Sequence, residues 1–253
     1  MLSSSIMAKK PEARLFVDGD LALQRSIALG PEQTHYLKSV LRLKENAVVA
    51  LFNGRDGEYL AYIECFARNS CSLLIEAHSR AQSPEPDLWL VFAPIKRARI
   101  DFLVEKATEL GVAALFPVMT RYTAVERVNL ARLEAHAIEA AEQSERLSVP
   151  AIHPLQPLER LIAGWAGTRR LLLCDESGTS PPIAAALKDA HRGPWAVLTG
   201  PEGGFAETEL DALKKLPFVC PVSLGPRVLR ADTAALAGLA VLQALLGDAP
   251  PRG

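Results

Sequence analysis

Two regimes of apolar patterning divide the chain. Between Arg14 and Ala77 the apolar residues come in short runs: Ala47–Phe52 and Glu58–Phe66 read as strands flanking Asn53-Gly54 and Asp56-Gly57, dipeptides that favour tight hairpin turns. Ser72–Ala77 reads as a further strand. One helical segment interrupts them, with Pro31 suited to its first turn and with Tyr36, Leu37, Val40 and Leu41 at the spacing of one buried face. Such a pattern predicts a small β-barrel carrying one helix. Residues 79–87, Ser-Arg-Ala-Gln-Ser-Pro-Glu-Pro-Asp, are polar and twice broken by proline, so they predict a linker between a domain over 1–78 and a second over 88–253.

Beyond the linker the period changes. Leu88–Ala93 is a compact apolar strand, and Ile100, Leu103, Val104, Ala107 and Leu110 then follow helical spacing until Gly111 offers a stop. Strand and helix alternate from there: strands at Ala114–Val118, Arg170–Cys174, Trp195–Thr199 and Phe218–Leu224, helices at Leu130–Ser144, near Glu207–Leu216 and at Thr233–Leu246. The alternation predicts an α/β fold with a parallel sheet. The last helix is apolar nearly all round, with only Gln243 clearly polar, and must be covered on more than one side, by a deep core or by a dimer partner. At about fourteen residues it is too short to span a bilayer.

Composition narrows the picture little. The 253 residues carry a formal net charge of −1, so any polyanion contact has to come from local clusters of Lys and Arg. Cys65, Cys71, Cys174 and Cys220 have neither C-x-x-C pairing nor metal spacing and read as reduced core thiols; the five histidines form no ligand pair, and no metal site is expected. Met1–Lys10 has no apolar stretch long enough for a signal peptide, which makes the cytoplasm the default expectation.

The informative chemistry lies in two loops. Leu198-Thr-Gly-Pro-Glu-Gly-Gly-Phe205 follows one apolar strand and Leu224-Gly-Pro-Arg-Val-Leu-Arg230 follows another, each opening into a helix. Glycines let backbone approach a ligand closely, and a parallel sheet collects such loops at the carboxyl ends of its strands, so the pair predicts one small-molecule pocket. A plain structural turn is the alternative for either loop taken alone. The G-x-G-x-x-G spacing, the acidic residue that would hold a ribose, and the Gly-Lys-Ser/Thr of a P-loop are all missing, which disfavours the common dinucleotide and triphosphate folds.

Gly200-Pro-Glu-Gly-Gly-Phe205, followed by Leu224-Gly-Pro-Arg-Val-Leu-Arg-Ala-Asp-Thr-Ala234, resembles the paired signature of the ribosomal small-subunit methyltransferase E family of SPOUT methyltransferases. The resemblance extends to Lys106-Ala-Thr-Glu-Leu-Gly-Val112, Glu142-Gln-Ser-Glu-Arg146 and His35-Tyr-Leu-Lys-Ser-Val-Leu-Arg-Leu43, in the family's order along almost the whole chain. It implies a PUA-like RNA-binding domain, a C-terminal α/β domain with a deep trefoil knot, a homodimer built around that knot, and methylation of uridine N3 in 16S rRNA of the 30S subunit using S-adenosylmethionine. Two positions depart from the pattern. Ala206 stands where Ser or Thr is usual, losing an oxygen that could cap the following helix, and Asp232 stands for Glu, one methylene shorter but still suited to an N-cap.

The resemblance implies cofactor contacts from Leu173, Thr199, Gly200, Pro201, Glu202, Gly203, Leu224, Gly225, Val228, Leu229 and Thr233, and predicts that Gly203→Val obstructs the site. Arg230 is the candidate to stabilise charge developing on the uracil oxygens, since a guanidinium stays protonated and cannot be the base. Tying to Asp232 or to a helix end is its structural alternative. Glu202 is the candidate proton acceptor, with binding of loop amides as its alternative role. For the RNA, Arg14 and Arg42 in the first domain and Lys96, Arg97, Arg99 and Arg121 in the second are the candidate phosphate contacts; exposed charge runs are more often solvated faces. Two other classes stay open on the sequence, a non-catalytic RNA-binding module and a nucleotide enzyme with a glycine-rich loop.

Overall fold

The computed structural model describes residues 6–7 and 9–247, with the side chain of Arg97 outside that description. The leader expectation for Met1–Lys10 and the C-terminal limit at residue 253 therefore fall partly or wholly outside the described residues. The chain forms two compact units, one running through Pro84 and including Ala141–Val149, the other made of Glu85–Ala140 and the residues from Pro150 onward.

The first unit is a five-stranded sheet of order β1-β3-β4-β5-β2, built from β1 (Ala13–Phe16), β2 (Ser26–Leu29), β3 (Val48–Phe52), β4 (Glu58–Phe66) and β5 (Cys71–Arg80). β1 lies parallel to β3 and the remaining pairs are antiparallel. Leu15, Leu37, Leu51, Ile63, Leu73 and Ile75 form its core. β5 runs to Arg80, two residues into the segment expected to be linker, because Arg80 pairs in register with Glu58 at the start of β4. The β3–β4 turn is held by the Asn53 side chain, whose Oδ1 accepts from the N–H groups of Arg55 and Asp56.

In this unit α1 (Pro31–His35) widens into a π-helical turn over Tyr36–Val40, closed by the N–H of Leu41 on the carbonyl of Tyr36. That extra residue per turn breaks the four-residue stacking predicted from the sequence. Leu37 is fully buried, whereas Val40 is 58% exposed rather than core.

Glu58, at the head of β4, is buried between two arginines. Its Oε2 accepts from Arg14 Nε at 2.7 Å and from Arg80 Nη2 at 2.6 Å. The Arg14 guanidinium also donates to the carbonyls of Ala141 and Arg146 and stacks 3.9 Å over the Phe52 ring. Phe16 N–H donates to Glu142. These contacts hold Ala141–Val149 in the first unit, so the motif 142–146 braces the sheet.

In the second unit every strand is parallel: β6 (Leu88–Phe92), β7 (Ala114–Met119), β8 (Ala151–Ile152), β9 (Gln156–Pro157), β10 (Arg170–Cys174), β11 (Trp195–Thr199) and β12 (Val219–Val222). The order is β12-β10-β11-β6-β7-β8, with β9 also on β7. Buried on both faces, such strands must be apolar throughout, which is why Leu171–Leu173 and Ala196–Leu198 read as unbroken apolar runs. The helices are α2 (Arg97–Glu109), α3 (Leu130–Gln143), α4 (Leu158–Ala163), α5 (Ile183–Ala186), α6 (Glu207–Lys214) and α7 (Ala231–Leu246).

α7 begins two residues earlier than its apolar pattern implies, with Arg230 rather than Asp232 at the N-cap position. Asp232 sits inside the first turn, where a carboxylate is favoured by the helix dipole, and accepts from Arg99 Nη1 at 3.2 Å. The helix lies close on β10 and β11 because of Gly238: a Cβ there would stand 3.1 Å from both Cys174 Sγ and Val197 Cγ1. Ala235, Gly238, Leu239 and Leu242 are buried, while Ala240, Ala244 and Leu245 face outward. Gln243, the one polar residue after the first turn of this helix, donates to the carbonyl of Leu110 at 2.7 Å and so satisfies the end of α2.

The four thiols are free. Burial pushes Cys71 up to about 11 and Cys174 up to about 12, while Cys65 is exposed rather than in the core. Among the described residues no helix is long and apolar enough to cross a membrane, and no group of three His, Cys, Asp or Glu is placed to hold a metal ion.

Candidate active site

Because β10, β11 and β12 are parallel neighbours, the loops at their carboxyl ends meet. They enclose a cavity of about 390 Å³ lined by Cys174–Glu176 and Gly178 after β10, Thr199–Glu202, Gly204 and Phe205 after β11, and Ser223–Ala231 with Ala234 after β12. A larger hollow between the end of β7, α4 and α6 has no glycine-rich loop.

Each loop has its own local logic. After β11, Gly204 takes φ +70° and closes a turn through its N–H on the Pro201 carbonyl, and the Phe205 ring folds back over Gly200, where a Cβ would stand 3.0 Å from it. Ala206 is the N-cap of α6 without a side-chain acceptor, so only the reciprocal half of a capping box forms, Glu209 Oε2 accepting from Ala206 N–H. Oε1 of Glu209 accepts from Arg121 N–H at 2.8 Å and anchors the loop after β7. After β12, Gly225 takes φ +117°, which favours glycine, with nothing within 4 Å of where its Cβ would be.

The loop after β10 is the most heavily braced. The Asp175 side chain is completely buried and accepts from Lys214 Nζ (2.8 Å), Ser180 Oγ (2.5 Å), and the N–H and Oγ of Ser177 (2.8 and 2.9 Å). Burial alone would disfavour its charge, but these four donors outweigh that cost and drive the carboxyl down to about 2. A folded value below the ordinary 3.8 means the stabilisation is complete above that pH and fades as the pH falls toward 2. Asp175→Asn should therefore cost roughly 2 kcal/mol near neutral pH and flatten the acid limb of the stability curve. Urea melts of both proteins between pH 2 and 7 measure this; parallel curves would refute it.

The structure brings Thr199, Gly200, Pro201, Glu202, Leu224, Gly225, Val228, Leu229 and Arg230 to the cavity. Leu173, Gly203 and Thr233 do not line it: Leu173 is fully buried, and the missing side chain of Gly203 faces Tyr122. Arg230 is exposed at the N-cap of α7, its backbone held by the Ala234 N–H on its carbonyl. The carboxylate of Asp232 goes to Arg99 and leaves Arg230 unpaired among the described residues. Glu202 is exposed.

The candidate phosphate ligands scatter. Arg14 is enclosed by Glu58 and two carbonyls, Arg99 is one-third exposed and ion-paired, and Arg42, Lys96 and Arg121 are exposed. Lys96 and Arg121 sit at the strand-tip end of β6 and β7, the end that carries the cavity. Sequence reasoning passed over Asp175, Glu176 and Arg227, which also line the cavity. The signal was present: Asp175-Glu-Ser-Gly-Thr-Ser180 follows a third apolar strand, and the strand-end rule applies to it as to the other two.

Residues 82–243 match the family described as RNA methyltransferase domain, and residues 29–76 match the RNA methyltransferase PUA domain. Among relatives, the ribosomal RNA small subunit methyltransferase E of Rickettsia conorii is 33% identical over 93% of this chain and 96% of its own length. That of Synechocystis is 34% identical over 96% and 80%. Among solved structures, ribosomal RNA small subunit methyltransferase E from Neisseria gonorrhoeae, bound to S-adenosyl methionine, superposes with a TM-score of 0.83 at 27% identity, covering 93% of this chain and 98% of that one. A putative methyltransferase from Legionella pneumophila, in complex with the same cofactor, gives 0.83 at 28% identity over 94% and 99%. Fold and matches together define an RNA methyltransferase with a SPOUT-type α/β domain and an N-terminal PUA domain. The chain belongs to the ribosomal RNA small subunit methyltransferase E family.

Proposed function

We propose that this protein transfers the methyl group of S-adenosylmethionine to N3 of a uridine in small-subunit ribosomal RNA, as a cytoplasmic homodimer acting on the 30S subunit. The observation that carries it is the convergence of three parallel strand tips on one cavity with an unpaired guanidinium in its wall. The cavity fits the cofactor. Its walls are mainly apolar, with a few charged groups among them, and nothing lies within 4 Å of where a Cβ on Gly225 would stand.

Glu202 and the Gly200–Pro201 backbone on one side, with Leu224, Gly225, Val228 and Leu229 on the other, would hold the cofactor, which when bound supplies a methyl group on a positively charged sulfur. Uracil N3 is a weak nucleophile while it keeps its imide proton. Glu202 accepts that proton directly or through water, and Arg230 stabilises the negative charge that spreads onto the flanking carbonyl oxygens. The rest is orientation, because holding the donor and N3 in line and dry removes most of the entropic barrier.

Arg42, Lys96, Arg97 and Arg121 are proposed to meet phosphates, with the PUA domain of residues 1–78 and the linker 79–87 ahead of the methyltransferase domain of 88–253. Chain crossing into a trefoil knot in this domain rests on the family resemblance. Pairing of a second copy rests on the same resemblance and on the outward apolar side of α7, at Ala240, Ala244 and Leu245.

Calorimetric titration with S-adenosylmethionine, NAD and ATP, followed by labelled methyl incorporation into undermethylated small subunits, tests the assignment. Binding of the sulfonium compound alone, with label recovered in N3-methyluridine, is the expected result; unlabelled subunits would overturn the catalytic assignment. Gly225→Val, which places a branched side chain at a cavity-lining position with φ +117°, should weaken S-adenosylmethionine binding at least tenfold in the same titration, on the order of 1.4 kcal/mol. Gly203→Val points toward Tyr122 and should weaken it less.

A further inference from the structure

The cavity wall holds a carboxylate that the reaction just described leaves unused. Glu176 follows Asp175 at the tip of β10, and its Oε1 lies so close over Gly204 that a Cβ on that glycine would stand 2.0 Å away. Gly204 is buried and in the left-handed region, so the backbone beneath the carboxylate is fixed and bare. No hydrogen bond or ion pair reaches the Glu176 side chain from the described residues. Lys214 of α6, the cation that pairs with this loop, is taken up by Asp175, Ser177 and Thr179. Glu176 follows the braced Asp175 directly; its carboxylate is exposed to solvent at the cavity and has no protein counter-ion among the described residues, so a cationic ligand can supply one.

The charged groups that line the cavity sort by loop. Asp175, Glu176 and Glu202 stand on the β10 and β11 side, Arg227 and Arg230 on the β12 side, and Asp175 is already compensated by Lys214. Of these, Glu202 has its own role with the imide proton, and the arginines suit anionic oxygens. A ligand whose positive charge is turned to the β10 loop matches this division.

We propose that Glu176 recognises a cationic group of the methyl donor, with Asp175 as its positioning residue. The inference rests on the methyl-donor assignment of this cavity. The donor carries two cations, the sulfonium and the α-ammonium. A charge-assisted hydrogen bond or close ion contact to either discriminates against uncharged relatives of the same nucleoside. The product, S-adenosylhomocysteine, keeps the ammonium and loses the sulfonium; methylthioadenosine keeps the nucleoside and has neither.

The test is calorimetric titration of the wild-type protein and Glu176→Gln with all three compounds, at low and at high salt. Thermal melts of both proteins verify that the glutamine variant is folded. Wild-type binding of S-adenosylmethionine is the control for the donor assignment, and its absence would remove that assignment and this inference together. With binding present, Glu176→Gln should weaken S-adenosylmethionine by about tenfold or more, in the range of a hydrogen bond to a charged group, and leave methylthioadenosine unchanged. An equal loss for S-adenosylhomocysteine identifies the ammonium as the partner; a loss confined to S-adenosylmethionine identifies the sulfonium. A matching loss for methylthioadenosine would place the carboxylate on the nucleoside and overturn the inference, as would no loss for any compound. Asp175→Asn should reproduce the same ligand ranking with a smaller effect.

Discussion

Arg230→Ala should lower methyl transfer by about 100- to 1,000-fold while S-adenosylmethionine affinity changes little, the size seen when one preorganised donor to a developing oxyanion is removed. The geometry explains the split. Arg230 occupies the N-cap position of α7, so its backbone is set by the helix start, while its side chain is exposed at the cavity and has no carboxylate partner there, Asp232 being paired with Arg99. A group free in the resting protein and engaged only as charge moves onto the base acts on turnover rather than on binding. Single-turnover incorporation and calorimetric titration on the same preparation measure the two quantities separately. Equal losses in both would reassign Arg230 to cofactor binding. Arg99→Ala is the informative companion: it frees Asp232 to pair with Arg230, and a drop in turnover from that change would show that the Arg99 pairing keeps the guanidinium available.

The largest effect on stability is expected at Glu58. Glu58→Ala should cost about 3–5 kcal/mol, because it leaves the enclosed guanidinium of Arg14 without its counter-charge. The same carboxylate indirectly supports the 141–149 segment, since Arg14 donates to two of its carbonyls and Arg80 to a third, that of Glu145. Burial opposes the charge on Glu58, and the hydrogen bonds from Arg80 and Arg14 more than compensate, holding its carboxyl below the ordinary 4.5. The wild-type contribution is therefore complete above pH 4.5 and declines below it. Guanidinium melts at pH 7 and pH 4 should show the gap between wild type and Glu58→Ala narrowing at the lower pH; a gap that stays constant would mean the loss is one of packing rather than charge. The second unit, with its own core, should keep its transition in both proteins.

The glycine loops were legible as a site because their chemistry is local. Two strand–loop–helix passages with Gly-Pro turns, in a chain whose pattern predicts a parallel sheet, leave few arrangements in which the loops do not share one end of that sheet. The alternation of short apolar runs with helical spacing likewise located β6, β7, β10 and β11 to within a residue. What failed rested either on an irregular local turn or on a partner distant in the chain. Val40 carries the right spacing for a buried face and is exposed, because a π turn redirects it. Arg14 looks like any basic residue until Glu58 and the 141–146 carbonyls enclose it, and Gln243 looks like a flaw in an apolar helix until the Leu110 carbonyl meets it.

Side-chain periodicity and turn preference act over a few residues, so the sequence by itself determined the longer elements, the parallel sheet of the second unit and the two loops that carry the chemistry. The short elements β1, β2, β8, β9, α4 and α5 were not legible in it. The strand order β12-β10-β11-β6, and with it which strand tips share the cavity, was decided only in the tertiary structure. The reason is physical: desolvation and ion pairing depend on which groups come together in space, so the burial of Asp175, the isolation of Glu176 and the freedom of Arg230 exist only once residues up to 133 positions apart, as Arg99 and Asp232 are, have come into contact.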